Sequence, residues 1–377
     1  MKSRNLYGLG TSALLAVSLL LPCAEAAKPY AKKPGTYKAA SRDAGLGLLY
    51  ASRPDALQFA DDVAERRDLD RAWVRQAIAQ SRQLPQVAKW ILPAPSGTAK
   101  NWRVYRSRFI DPVRIAAGVA FWQTNADWLA RAESEYGVPA AIIVGIIGIE
   151  TIYGRDTGSF RVMDALTTLS FDFPSAHPRA RERREFFRGE LEQLLSLASR
   201  TGADPLSFKG SYAGAMGLPQ FMPSSWAKYA IDFDGDGKVD LFTSSADGIG
   251  SVANYFKSFG WQTGMPTHYP VRFDPQTLNL DALLAPDILP TFSVASFTAK
   301  GAVLEGEGLR HPGPLALVEL QNGVDAPSYV AGTENFLCSD ALQLEQLLRH
   351  GRDRAGTRGG GCQAEVVLGV FADVNVK

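Results

Sequence analysis

Ten consecutive residues, Ala140 to Ile149, carry no polar side chain, and residue 150 is a glutamate. A helix over this run is apolar on every side, so it belongs at the centre of a domain. Ending it with a carboxylate is costly, because a buried charge must be neutralised or paired. Desolvation raises a carboxyl pKa, and a glutamic acid that keeps its proton near neutral pH can serve as a general acid. Gly145 and Gly148 interrupt the run. Each weakens a helix by about 1 kcal/mol relative to alanine, so close packing or a groove should explain them. From the pattern alone Glu150 has two other readings: an ion pair with an arginine such as Arg155, or emergence into solvent.

The 377 residues are 46% hydrophobic and 21% charged, with a net charge of +1. That is a globular composition with room for one large or two small domains. Nucleic acid is excluded as a partner class, because phosphate binding needs clustered positive charge. Residues 1–26 read as a signal peptide: Lys2 and Arg4, then an apolar run from Leu14 to Leu21, then Ala24-Glu25-Ala26. The expected cleavage after Ala26 exports the chain. The alternative is lipidation at Cys23, with Pro22 before it as an unfavourable neighbour. Residues 27–43 are rich in Lys, Pro and Ala and read as a flexible tether. Cys338 and Cys362 are the only other cysteines, so the body of the chain relies on packing.

Residues 44–336 read as one folded region. Asp70 should cap a helix over 71–81. Asp111-Pro112 marks a strong helix start, and Val113, Phe121, Trp122, Trp128, Leu129 and Tyr136 continue the spacing to Gly137. Asp164 reads as the cap of a helix over 165–170. Residues 174–188 are basic and expected to be exposed, 189–200 read as an amphipathic helix, and a further helix is expected at about 247–258. A helical core over about 110–262 gives way near 265 to short alternating runs, such as 315–320 and 328–331, which predict a small β subdomain. The class is α+β, mostly α.

Three blocks carry a resemblance. Val144 to Arg155 (VGIIGIETIYGR) with Asp164 to Phe171 (DALTTLSF) is the first, Gly210 to Ser225 (GSYAGAMGLPQFMPSS) the second, and Ile249 to Phe256 (IGSVANYF) the third. Together and in this order they resemble the lytic murein transglycosylase B family, over about Trp102 to Phe336. The resemblance implies a lysozyme-like helical core in the periplasm, or at the outer membrane through Cys23. It implies an enzyme whose partners are peptidoglycan glycan strands and, in a wall-remodelling complex, cell-wall synthesis proteins. Glu150 would act alone, first as acid and then as base, leaving a 1,6-anhydro-MurNAc end. Ser211, Gln220, Tyr255 and Tyr105 match substrate-contacting positions, with Phe221 as a packing or contact residue. Arg183 and Arg184 match basic residues that would meet stem-peptide carboxylates, against a plain reading as solvated charge. Asp156 and Asp164 are the nearby candidates for a second carboxylate of the kind ordinary glycosidases use.

Asp232, Asp234, Asp236 and Asp240, with Gly237 and the Lys238 carbonyl, fit the first nine positions of an EF-hand loop. Position 12 is Thr243 instead of a glutamate, and Asp247 is the candidate that closes a longer loop. A structural Ca²⁺ is expected there, and no organic cofactor. After Phe336 the family pattern stops. Codons for 341–356 can be chosen so that a shifted frame restores the family's Thr-Arg-Tyr-Asn segment, so a frameshift near residue 337 is expected, with 337–377 as an atypical tail. A lysozyme-type hydrolase and an inactive peptidoglycan-binding protein stand as the alternative functions.

Overall fold

The structure is a computed structural model that describes residues 47–93 and 100–339. The chain divides into residues 1–44 and a second unit, 45–377, and the described residues all belong to the second. The signal peptide, the tether and the tail beyond residue 339 lie outside them.

The N-terminal helices are α1 (Pro54–Arg67), α2 (Arg71–Ala79), α3 (Pro85–Trp90) and α4 (Trp102–Ser107). The Asp70 side chain accepts the Trp73 N–H at 2.7 Å and caps α2. Next come α5 (Pro112–Thr124), α6 (Ala126–Tyr136) and α7 (Ala140–Thr151). The long helix expected from Asp111 to Gly137 is two. Asn125 leaves helical geometry, and its side-chain amide donates to the Phe121 carbonyl at 2.8 Å, which ends α5. Gly137, at φ +70°, closes α6 as expected.

β1 (Phe160–Arg161) leads into α8 (Val162–Phe171), and α9 (Ala180–Thr201) follows. Asp164 is not the cap of α8. The helix starts two residues earlier, and Asp164 sits in its first turn, where it binds the Arg161 guanidinium at 2.6 Å and the Arg82 N–H at 2.8 Å. The basic stretch expected to be exposed supplies the start of α9, with Phe187 and Glu190 buried. β2 (Lys209–Gly210) pairs antiparallel with β1, then α10 (Pro223–Tyr229) and α11 (Ser245–Ser258) complete the core.

The last part is a four-stranded antiparallel sheet of order β4-β3-β6-β5: β3 (His268–Phe273), β4 (Ala302–Leu304), β5 (Ala316–Asn322) and β6 (Asp325–Gly332). α12 (Leu280–Leu284) and α13 (Val294–Thr298) sit in its connections, and α14 (Glu334–Ser339) ends the described chain. Asn335 fastens this part to the helices. Its amide oxygen accepts the Gln262 N–H at 2.8 Å, and its NH₂ donates to the carbonyls of Gln262 and Met265.

Two large apolar clusters form the helical core. One joins α1–α3 to α8, α9 and the 216–226 segment. The other surrounds α7, which is buried at every residue except Ala141 and Glu150. No described helix is by itself long and apolar enough to cross a membrane.

Candidate active site

Glu150 is half-buried at the last turn of α7. The chain leaves this helix through Ile152, Tyr153 and Gly154, all left-handed at φ +50°, +58° and +86°. Only the glycine adopts this without strain, and such strain gathers at functional sites. Two anchors hold the turn. The Thr151 hydroxyl lies 3.2 Å from the Ile147 carbonyl and 3.0 Å from the Leu218 carbonyl, and it accepts the Gly154 N–H at 3.1 Å. Tyr153 fills a slot between α5 and α7. A Cβ added at Gly118 or at Gly148 would come within 2.4 Å of its hydroxyl oxygen. Close packing therefore accounts for Gly148. Burial raises the Tyr153 phenol pKa to about 12, so it stays a neutral wedge.

The second wall is the segment 210–221. Ser211 Oγ accepts the N–H groups of Ala213 (3.3 Å) and Ala215 (3.0 Å). Both bonds use its lone pairs, which leaves its O–H to donate. Gly158 lies against Gly210 and Ser211 so closely that a Cβ would meet the Gly210 carbonyl at 2.2 Å. Gln220 sits at φ +51°, a strained value for a residue with a side chain. Its amide NH₂ donates to the carbonyls of Thr157 (3.2 Å) and Gly217 (3.0 Å). Its donors are thus committed to the backbone, and Oε1 is the atom left to face a ligand. These bonds stitch residues 150–158 to 210–220 and bring Glu150, Ser211 and Gln220 into one assembly.

Other expected site residues are placed differently. Phe221 and Tyr255 are 1% and 2% exposed. Their rings meet at 5.4 Å, and Tyr255 also packs on Tyr229 and Phe259. Both rings are therefore packed into the wall beneath the 210–221 segment more than they are displayed on its surface. Tyr105 is half-buried on α4 between Trp102 and Phe109. Arg183 and Arg184 lie half-buried on α9. Burial and the charge of Arg179 lower the Arg183 pKa, and the buried Arg184 Nε has no hydrogen-bond partner among the described residues. A cleft of about 380 Å³ lies between α4 and β6, lined by Trp102, Arg106 and Ser328 among others, and Glu150 is not part of it.

Of the two candidate second carboxylates, Asp164 is 4% exposed and held by Arg161, and Asp156 is exposed in the turn after Glu150. The sequence offered no sign of Thr151 and Tyr153 as the supports of Glu150. Their adjacency to it was the only cue.

In the Asp-rich loop, carboxylate oxygens of Asp232, Asp234 and Asp247 lie within 4.8 Å of one another. Asp247 is 1% exposed, and burial together with the Asp234 charge raises its pKa. Three converging acids with one so deeply buried suit a hard cation with oxygen ligands. Asp236 departs from the expected ligand set: its Oδ1 accepts the Lys238 N–H at 2.8 Å, and it is not among the converging oxygens. Lys238 contributes its N–H to that turn. Asp247 closes the loop from below, taking the N–H groups of Phe233 and Asp240, each at 2.7 Å.

The pattern of a transglycosylase SLT domain matches residues 51–338. The chain belongs to this family. The membrane-bound lytic murein transglycosylase B of Escherichia coli is 45% identical over 227 residues, which span 58% of this chain and 61% of that protein. The chain thus aligns with less than two thirds of that relative's length. The lytic transglycosylase SLT35 of Escherichia coli in complex with bulgecin A superposes with a TM-score of 0.73 at 34% identity, over 88% of this chain and 97% of that one. The same enzyme in complex with calcium gives 0.71 at 34% identity, over 88% and 97%. SltB1 of Pseudomonas aeruginosa gives 0.72 at 36% identity, over 86% and 98%. The expected fold, mostly helical with small sheets and a lysozyme-like core, is the one these relatives share.

Proposed function

We propose that this chain is a lytic transglycosylase that cleaves the MurNAc–GlcNAc bond of peptidoglycan without water. The observation that carries the reading is Glu150, half-buried at the end of an apolar helix, with both nearby aspartates unsuited as partners in catalysis. Asp164 is locked to Arg161 and Asp156 lies in an exposed turn. Glu150 donates its proton to the glycosidic oxygen. As a carboxylate it then takes the proton of the C6 hydroxyl of the same MurNAc, whose oxygen attacks the anomeric carbon. Intramolecular attack has a large effective molarity, which lets it outrun water. The Ser211 O–H and Gln220 Oε1 are a donor and an acceptor for the sugar. Arg183 and Arg184 on α9 would supply positive charge for stem-peptide carboxylates. Tyr255 and Phe221 support the wall from beneath, and Tyr105 on α4 would contact the glycan.

Calcium belongs to the same reading. Asp232, Asp234 and Asp247 would hold it, and it would neutralise their mutual repulsion while fastening the loop to α11. Export to the periplasm rests on residues 1–26, and the curated relative is itself named membrane-bound.

The test is digestion of purified sacculi followed by mass spectrometry. The wild type should release anhydro-muropeptides, and Glu150→Gln should keep the fold and release none. Hydrated reducing ends alone would assign a lysozyme-type hydrolase instead.

A further inference from the structure

Trp90, the last residue of α3, is 52% exposed, and Leu92 beside it is 37% exposed. Single exposed apolar residues are ordinary, but this indole is held in place. Its centroid lies 5.7 Å from the Phe160 ring at 86° and 5.8 Å from the Tyr212 ring at 81°. The two bracing rings come from separate segments that meet at the candidate site. Phe160 is in β1, paired with Gly210 of β2, and Tyr212 directly follows Ser211. The aromatic cluster is therefore continuous with the wall that carries Ser211. Lys209, on the same two-stranded ribbon, is exposed and adds positive charge.

We infer that Trp90, braced by Phe160 and Tyr212, is a stacking platform for a sugar ring of the glycan strand, at a subsite beyond those flanking the scissile bond. The inference rests on the proposed action on peptidoglycan. A pyranose ring is apolar across its C–H face and polar at its rim, which matches an indole that offers a broad apolar surface. Because two neighbours already fix the indole, little side-chain freedom is lost on binding. Muramic acid and stem peptides carry carboxylates, which complement Lys209. A protein partner fits less well: a few exposed side chains fall short of the about 800 Å² per partner that a stable interface buries.

The experiment uses the full-length protein carrying Glu150→Gln, so that binding is read without cleavage. The probes are peptide-free strands of alternating GlcNAc and MurNAc, compared with a tetrasaccharide of the same sugars. Trp90→Ala should lower the ratio of long-strand to tetrasaccharide affinity about tenfold, equivalent to about 1.4 kcal/mol. Trp90→Phe should restore most of it, and circular dichroism should show both variants folded. An unchanged ratio, or equal weakening at both lengths, overturns the platform. In the parent protein, absence of anhydro products would sink the enzymatic reading alone. A length-dependent loss in the Trp90→Ala variant would still support the platform.

Discussion

Thr151 shows how a residue that performs no chemistry can decide whether its neighbour does. Its single hydroxyl joins the end of α7 to the Leu218 carbonyl and receives the Gly154 N–H. Thr151→Val keeps the shape and removes those bonds, leaving buried polar groups without partners at about 1–3 kcal/mol each. The expected result is a lower melting temperature and a larger loss in kcat than in KM on sacculi, since Glu150 shifts while the binding walls remain. A drop in melting temperature with kcat intact would show that Thr151 stabilises without positioning. Sequence reading found Glu150 because an apolar run ending in a carboxylate is rare. It could not find these supports, because left-handed geometry at Ile152 and Tyr153 leaves no mark in residue type. For Phe221 and Tyr255, 1% and 2% exposed, spacing shows which face of an element a ring occupies, not how far neighbouring rings cover it.

Helices were legible where caps were explicit. Asp111 accepts the N–H groups of Val113 (2.9 Å) and Arg114 (3.0 Å) at the start of α5. Those bonds, with that to Arg114 N first, lower the carboxyl pKa below its usual value. A depressed folded pKa means that the stabilisation is complete above the unfolded pKa, near 4, and is lost as pH falls through the folded value. Asp111→Ala should therefore cost about 1 kcal/mol at pH 7, and the gap to wild type should close on acidification toward pH 2. A gap that persists there would assign the loss to something other than the charged cap. The break at Asn125 was not legible, because the apolar spacing runs through it and only a side-chain bond to Phe121 divides the helix. The β1–β2 ribbon is two residues per strand and too short for any periodicity. In the Asp-rich loop the pattern gave the chemistry but did not single out Asp232, Asp234 and Asp247 as the three whose oxygens converge. Calcium at about a hundredfold excess over its Kd should stabilise the fold by about 2.7 kcal/mol. Differential scanning fluorimetry should show a rise with Ca²⁺ that Asp247→Asn abolishes; the same melting temperature with Ca²⁺ and with chelator would remove the metal assignment.

At the scale of the molecule, the change from helices to short strands near residue 265 was plain in the sequence, and β5 and β6 fall close to the expected 315–320 and 328–331. What spacing could not convey is how the parts share a core. Residues of α1 to α3 pack in one cluster with α8 and α9, although about a hundred residues separate them in the chain. The slot that receives Tyr153 is of this kind too, since Gly118 comes from α5 and Gly148 from α7. Its consequence is epistasis. Gly118→Ala and Gly148→Ala should each be damaging alone, by about 1–3 kcal/mol from overpacking, and neither effect should be independent of residue 153. Tyr153→Phe deletes the oxygen that both new methyl groups strike. The ring carbon behind it lies 3.0 Å from a Cβ at Gly118 but 2.6 Å from one at Gly148. Rescue by Tyr153→Phe should thus be substantial at 118 and partial at 148, as a double-mutant cycle on chemical denaturation would measure. Lineages of this enzyme would then be free to enlarge position 118 only after position 153 had changed, so the order of substitutions is itself constrained.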